Sequence, residues 1–103
     1  MPRIHGEAQA EIRSAAMWYE ERVPGLGDKL VVEVGIVFDR IDALPRVGTP
    51  WKHATLTREV RRTSVRTFPY QVFYVLAPDP HVLAFSHSSR ERGYWLARLD
   101  DLK

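Results

Sequence analysis

The chain has no cysteine among its 103 residues. That excludes disulfides and thiolate metal sites and fits a reducing compartment. No apolar run approaches the roughly 18 residues that a membrane span needs, and no signal-peptide core follows Met1. The expectation is a cytoplasmic protein without a membrane partner. The glycine-rich, H-E-x-x-H and G-x-S-x-G patterns are all missing, so phosphate-loop, dinucleotide-binding, zinc-peptidase and nucleophile-elbow chemistry are not expected. His5, His53, His81 and His87 are scattered without metal-ligand spacing, so neither a metal nor a cofactor is expected. Ser86 and Ser88 flank His87, but chain neighbours on a strand point to opposite faces, which argues against a nucleophilic dyad. There is no internal repeat, low-complexity tract or linker, and the whole chain, 1–103, reads as a single domain.

What is present is a packed globule with an uneven distribution of charge. Hydrophobic residues make up 45% and aromatics 11%, enough for a core. The net charge is only +2. Residues 1–57 hold seven Lys/Arg against eight Asp/Glu, whereas residues 58–103 hold eight against five, and arginine supplies seven of those eight bases. Arginine carries a planar, permanently charged fork suited to phosphate or carboxylate. Four of them, Arg58, Arg61, Arg62 and Arg66, fall within nine residues.

Residues 1–5 read as a very short opening strand that Pro2 confines to an edge. From Gly6 the period becomes helical, with Ala8, Ile12, Ala15 or Ala16 and Tyr19 on one face and Pro24-Gly25 as the stop. A second helix begins near residues 26–28. Its apolar stripe is Leu30, Val34, Val37, Ile41 and Leu44, broadened by Phe38, and Pro45 ends it. The two helices form an antiparallel hairpin whose charged residues, from Glu20 to Arg40, read as a solvated outer face. Residues 47–57 show no periodicity and read as a loop, with Trp51 either its anchor or an exposed contact. Strands follow near residues 58–62, 70–76 and 82–85. A proline-rich turn at 77–80 joins the last two, and a terminal helix spans about 93–102. Helices grouped before an antiparallel sheet define an α+β fold. The hairpin and sheet are expected to share a core in which Leu30, Val34, Val37 and Ile41 meet Val72, Tyr74 and Leu83.

The chemistry-bearing set is Arg61, Arg62, Arg66, His87, Arg90, Arg92 and Tyr94. Such residues can cleave RNA without a metal: arginines neutralise the phosphate, while a base activates the ribose hydroxyl and an acid protonates the leaving oxygen. Histidine has a suitable pKa for either task, whereas tyrosine needs cationic neighbours to act as a base. The same groups could instead bind an acidic protein.

Four motifs carry a resemblance: W-Y-E-E-R at 18–22, R-E-V-R-R at 58–62, F-P-Y-Q-V-F-Y at 68–74 and H-S-S-R-E-R-G-Y-W-L-A-R-L at 87–99. In this order, and with the helical hairpin ahead of them, they resemble the RelE/ParE superfamily of toxins from type II toxin–antitoxin pairs. The resemblance implies a helical hairpin packed on a small twisted antiparallel sheet and a short C-terminal helix. It also implies a cognate antitoxin protein that wraps the toxin and contacts operator DNA on its behalf. RelE-like members cut messenger RNA on the ribosome, and for that activity Arg62, His87, Arg90 and Tyr94 would be the catalytic residues. ParE-like members inhibit DNA gyrase; Arg58, Arg61, Arg66, Gln71, Arg92 and Trp95 would then contact the target or the antitoxin. Where RelE-like nucleases commonly carry an arginine, after Tyr70, this chain has Gln71, an amide without the charge. That difference and the long hairpin lean toward the ParE-like side. A third reading is a non-toxic member retained for antitoxin binding or autoregulation.

Overall fold

A computed structural model of the chain describes residues 1–53, 56, 58–76 and 78–102. Ala54, Thr55 and Thr57 of the expected loop, Ala77 of the expected turn and Lys103 lie outside the described residues. Strand β1 (Arg3–Ile4) leads into helix α1 (Gly6–Arg22). His5 caps that helix, its Nδ1 accepting the Glu7 N–H at 3.0 Å. The expected stop is built on Gly25, whose φ of 90° suits glycine. Helix α2 (Leu26–Ala43) has no capping side chain at Gly25 itself. Glu20 of α1 supplies one instead: its carboxylate accepts from the backbone N–H of Gly25 at 2.8 Å and of Gly27 at 2.9 Å. These backbone donors, that of Gly25 first, hold the Glu20 carboxyl below its ordinary pKa. Glu20 is therefore part of the hairpin's joint as well as its outer face. The helices approach closely here, for a β-carbon on Gly27 would lie 2.9 Å from the Glu20 β-carbon and nearer still to the Ala16 carbonyl oxygen.

The fold is α+β, with five strands in the order β1-β5-β4-β3-β2. Strands β2 (Thr49–Trp51), β3 (Val60–Ser64), β4 (Tyr70–Val75) and β5 (His81–His87) are antiparallel neighbours, while β1 joins β5 in parallel and makes the sheet mixed. Strand β2 falls inside the stretch expected to be a loop. Pro50 is tolerated because β2 is an edge strand. The approach to β2 is pinned from beneath: the Tyr74 hydroxyl donates to the Pro45 carbonyl at 2.7 Å and accepts the Gly48 N–H at 2.9 Å.

Strand alternation divides the core in two. Leu30, Val34, Val37, Phe38 and Ile41 of α2 pack with Val72, Tyr74, Val82 and Phe85 on one face. On the other, Trp51, Val60, Phe73, Val75, Leu83, Ala84 and Trp95 form a second cluster. Leu83 thus belongs to the face away from the helices, contrary to the expected core. Phe73 faces Ala84 and Tyr74 faces Val82, so a bulge leaves Leu83 as the extra residue and turns it to the far side. Leu44, expected in the α2 stripe, is 63% exposed because the helix has already ended at Ala43. The C-terminal helix is a 3-10 helix (Leu96–Asp101). Gly93, at φ 73°, precedes it, and three residues per turn align Leu96, Leu99 and Leu102 over the second cluster.

Two substitutions test this packing by urea unfolding. Val34→Ala should cost about 1–4 kcal/mol by leaving a cavity, and Gly27→Ala about 1–3 kcal/mol because α1 backbone stands where the methyl would go. Unchanged stability in Gly27→Ala would mean that the hairpin joint is looser than described.

Candidate functional site

The far-face cluster forms a hard floor. Trp95 is 1% exposed and its ring centroid lies 4.9 Å from those of both Trp51 and Phe73. The question left open for Trp51 is resolved by its 4% exposure: it is core. Above this floor a cleft of about 160 Å³ is lined by Arg62, Gln71, His87, Arg90, Glu91 and Arg92. Arg62 stands on β3 opposite Phe73, and Gln71 on β4 stands opposite Ser86 of β5. Three guanidiniums face one carboxylate in this cleft, an arrangement suited to an anionic partner. The Arg62 side chain makes no hydrogen bond or ion pair among the described residues. Arg92 is braced by the Lys52 carbonyl at 2.9 Å and lies 4.7 Å from the Trp51 ring centroid.

The two arginine clusters therefore converge only in part. Arg61 points to the other face of β3, where it donates to Glu59 at 2.7 Å and to the Gly48 carbonyl at 2.7 Å. Its role is to hold the entry to β2, which removes it from the contact surface expected for it. Arg58 lines a different small pocket, beside Arg3 and His81. Arg66 is exposed in the turn between β3 and β4, outside the cleft. Trp95, readable either as a contact or as the core anchor of the last helix, is buried and belongs to the floor.

The candidate proton-transfer groups have definite hydrogen-bond partners. His87 Nδ1 accepts the Ser89 N–H at 3.0 Å and lies 2.7 Å from the Ser89 hydroxyl. A neutral ring held this way carries its proton on Nε2 and presents a donor. The Tyr94 hydroxyl donates to Glu11 Oε2 at 2.6 Å, and Arg90 stacks 3.9 Å from the Tyr94 ring centroid. Burial, reinforced by the Glu11 hydrogen bond and charge, pushes the Tyr94 phenol up to about 12. A phenol so placed stays protonated.

Glu11 and Arg98 are the residues the sequence reading missed. Arg98 Nη1 donates to Glu11 Oε1 at 2.8 Å and Nη2 to Oε2 at 3.0 Å, while the Phe85 N–H donates to Oε1 at 3.1 Å. Burial alone would raise the Glu11 carboxyl, but the bonds from Arg98, Tyr94 and Phe85 outweigh it and hold the pKa below the ordinary range. One signal was available: Glu11 lies three residues after Ala8 and four before Ala15, both buried, so it shares the inward side of α1. Among the described residues, no group of three or more His, Asp or Glu is placed to hold a metal.

The carboxylate is partly solvated, so Glu11→Gln should cost about 1–3 kcal/mol near pH 7, less than for a fully buried pair. Because the folded-state pKa is depressed, this contribution is complete above the unfolded value of about 4.3 and is lost as pH falls through the folded value. Urea unfolding at a series of pH values should show the gap between the two proteins closing in acid. A gap independent of pH would assign the loss to packing rather than charge.

Compared with known proteins, the chain matches no family model, and no curated protein matches its sequence.

Proposed function

We propose that this protein is the toxin of a type II toxin–antitoxin pair and acts by binding its target, in the ParE-like manner, with DNA gyrase as that target and a cognate antitoxin as its neutralising partner. The observation that carries the binding mode is the commitment of Tyr94: its hydroxyl donates to Glu11, and its pKa is pushed up to about 12. A base must release its proton near working pH, and this phenol holds its proton instead. His87 adds to the argument, since its Nδ1 is taken by Ser89 and a neutral ring offers the cleft a donor. Beside His87 and the Glu91 carboxylate, the cleft holds three arginines and the Gln71 amide, groups suited to recognition.

A second reading, a metal-independent ribosome-dependent messenger RNA endonuclease, draws on the placement of Arg62, His87 and Arg90 along one cleft. Induced expression separates the two. The binding toxin arrests growth with a DNA-damage response and leaves messenger RNA intact. Arg62→Ala should weaken that arrest by about tenfold or more in dose, the loss expected for a charged hydrogen bond of about 1.5–3 kcal/mol. Tyr94→Phe, if it remains folded, should still arrest growth. Antitoxin-sensitive cuts within codons in a ribosome toeprint, absent in Tyr94→Phe, would overturn the proposal in favour of the nuclease. Expression without growth arrest would remove both readings.

A further inference from the structure

The outward side of α2 carries an unpartnered ridge. Asp28, Val32, Ile36 and Arg40 follow one another at four-residue spacing, so they lie along one row of the helix surface. All four are exposed, Val32 at 62% and Ile36 at 51%. The next row holds Val31, 52% exposed, then Gly35 and Asp39. Gly35 leaves a gap in that second row, where a β-carbon would meet nothing within 4 Å. Asp28 and Arg40 make no ion pair or hydrogen bond through their side chains among the described residues. A helix in a globular protein normally places polar residues here, so valine, valine, glycine and isoleucine in the middle turns require a partner surface.

The order of the ridge identifies that partner. It runs acid, apolar, apolar, base, so reversing it gives its own complement. Two copies laid antiparallel would set Asp28 opposite Arg40, Val32 opposite Ile36, and the same pairs again across the two-fold axis. On the rows that flank the ridge, Lys29 on one side and Asp39 on the other obey the same pairing. Rows at four-residue spacing interdigitate in the commonest class of helix crossing, and Gly35 provides the depression that receives the opposing ridge. A two-fold contact demands a self-complementary surface of this kind.

The geometry points to a homodimer formed by antiparallel crossing of α2 on α2, centred between Val32 and Ile36. The Arg40 end of the ridge lines a surface depression together with Arg62 and Gln71. Val32 and Ile36 line neither that depression nor the Arg62 cleft, and the dimer does not rest on the toxin reading. One helix crossing buries less than the roughly 1,200–2,000 Å² of a stable complex, so the dimer is weak and concentration-dependent.

Sedimentation equilibrium of the full chain, produced by cell-free synthesis, tests this directly. Weight-average mass should rise from one chain toward two as concentration approaches about 1 mM. Val32→Glu, at an exposed position, should remain folded by circular dichroism and stay monomeric. Asp28→Arg should weaken association about tenfold or more, because like charges then meet across the axis. Asp28→Arg combined with Arg40→Asp should restore it, since the reversed ridge is again its own complement. A chain monomeric throughout would overturn the inference. So would a dimer indifferent to Val32→Glu, or one that the double reversal fails to rescue, including the case in which a different protein occupies this face.

Discussion

A single carboxylate, Glu11, holds together three parts of the molecule that are far apart in sequence. Strand β1 covers only the first residues of β5, leaving the outward Leu83 carbonyl and Phe85 N–H without a strand partner. Glu11 takes the N–H, and Arg98 donates to the carbonyl at 2.9 Å while forming a two-point pair with Glu11. An open sheet edge is thereby closed by an ion pair instead of a strand. The pair also draws the C-terminal segment against α1, and Tyr94 is held between them. One acid therefore accepts from a backbone N–H, a phenol and a guanidinium, and most of its hydrogen-bonding capacity is used.

The functional consequence comes from what this node takes away. Tyr94 is one of the four residues that a nuclease would use, and its hydroxyl is engaged by Glu11. Strand alternation makes a similar division among the arginines. Arg62 and Arg61 are adjacent in the chain and face opposite ways, the first into the cleft and the second under the β2 entry. The cleft keeps Arg62 without a side-chain partner among the described residues, over a floor of buried tryptophan. That combination supports the proposed reading of a binding surface over one of proton transfer.

Much of this was legible in the chain. The helical hairpin followed from the spacing of Leu30, Val34, Val37 and Ile41, and its joint from Pro24-Gly25. The arginine-rich side of the sheet could be anticipated from composition. Three features were not legible, each for a physical reason. Strand β2 is too short and too proline-marked to show a period, and only pairing with β3 reveals it. The bulge that turns Leu83 away from the helices is a property of two strands in register. The terminal helix was expected, but its 3-10 form was not, because it depends on the left-handed conformation at Gly93 and on the row of leucines that it lays over Trp95. Glu11 lay in plain view within an apolar stripe, but its partners stand more than seventy residues away.

The Glu11 node holds the proton on Tyr94, through a hydrogen bond of 2.6 Å and a nearby negative charge. Site-resolved NMR titration of the Tyr94 ring carbon, in the intact chain labelled at tyrosine and compared with Glu11→Gln, measures this most directly. The phenol should titrate near 12 in the native chain and at a lower pH once the Glu11 charge is removed. A Tyr94 that titrates at or below the ordinary tyrosine value of about 10, unaffected by Glu11→Gln, would contradict it.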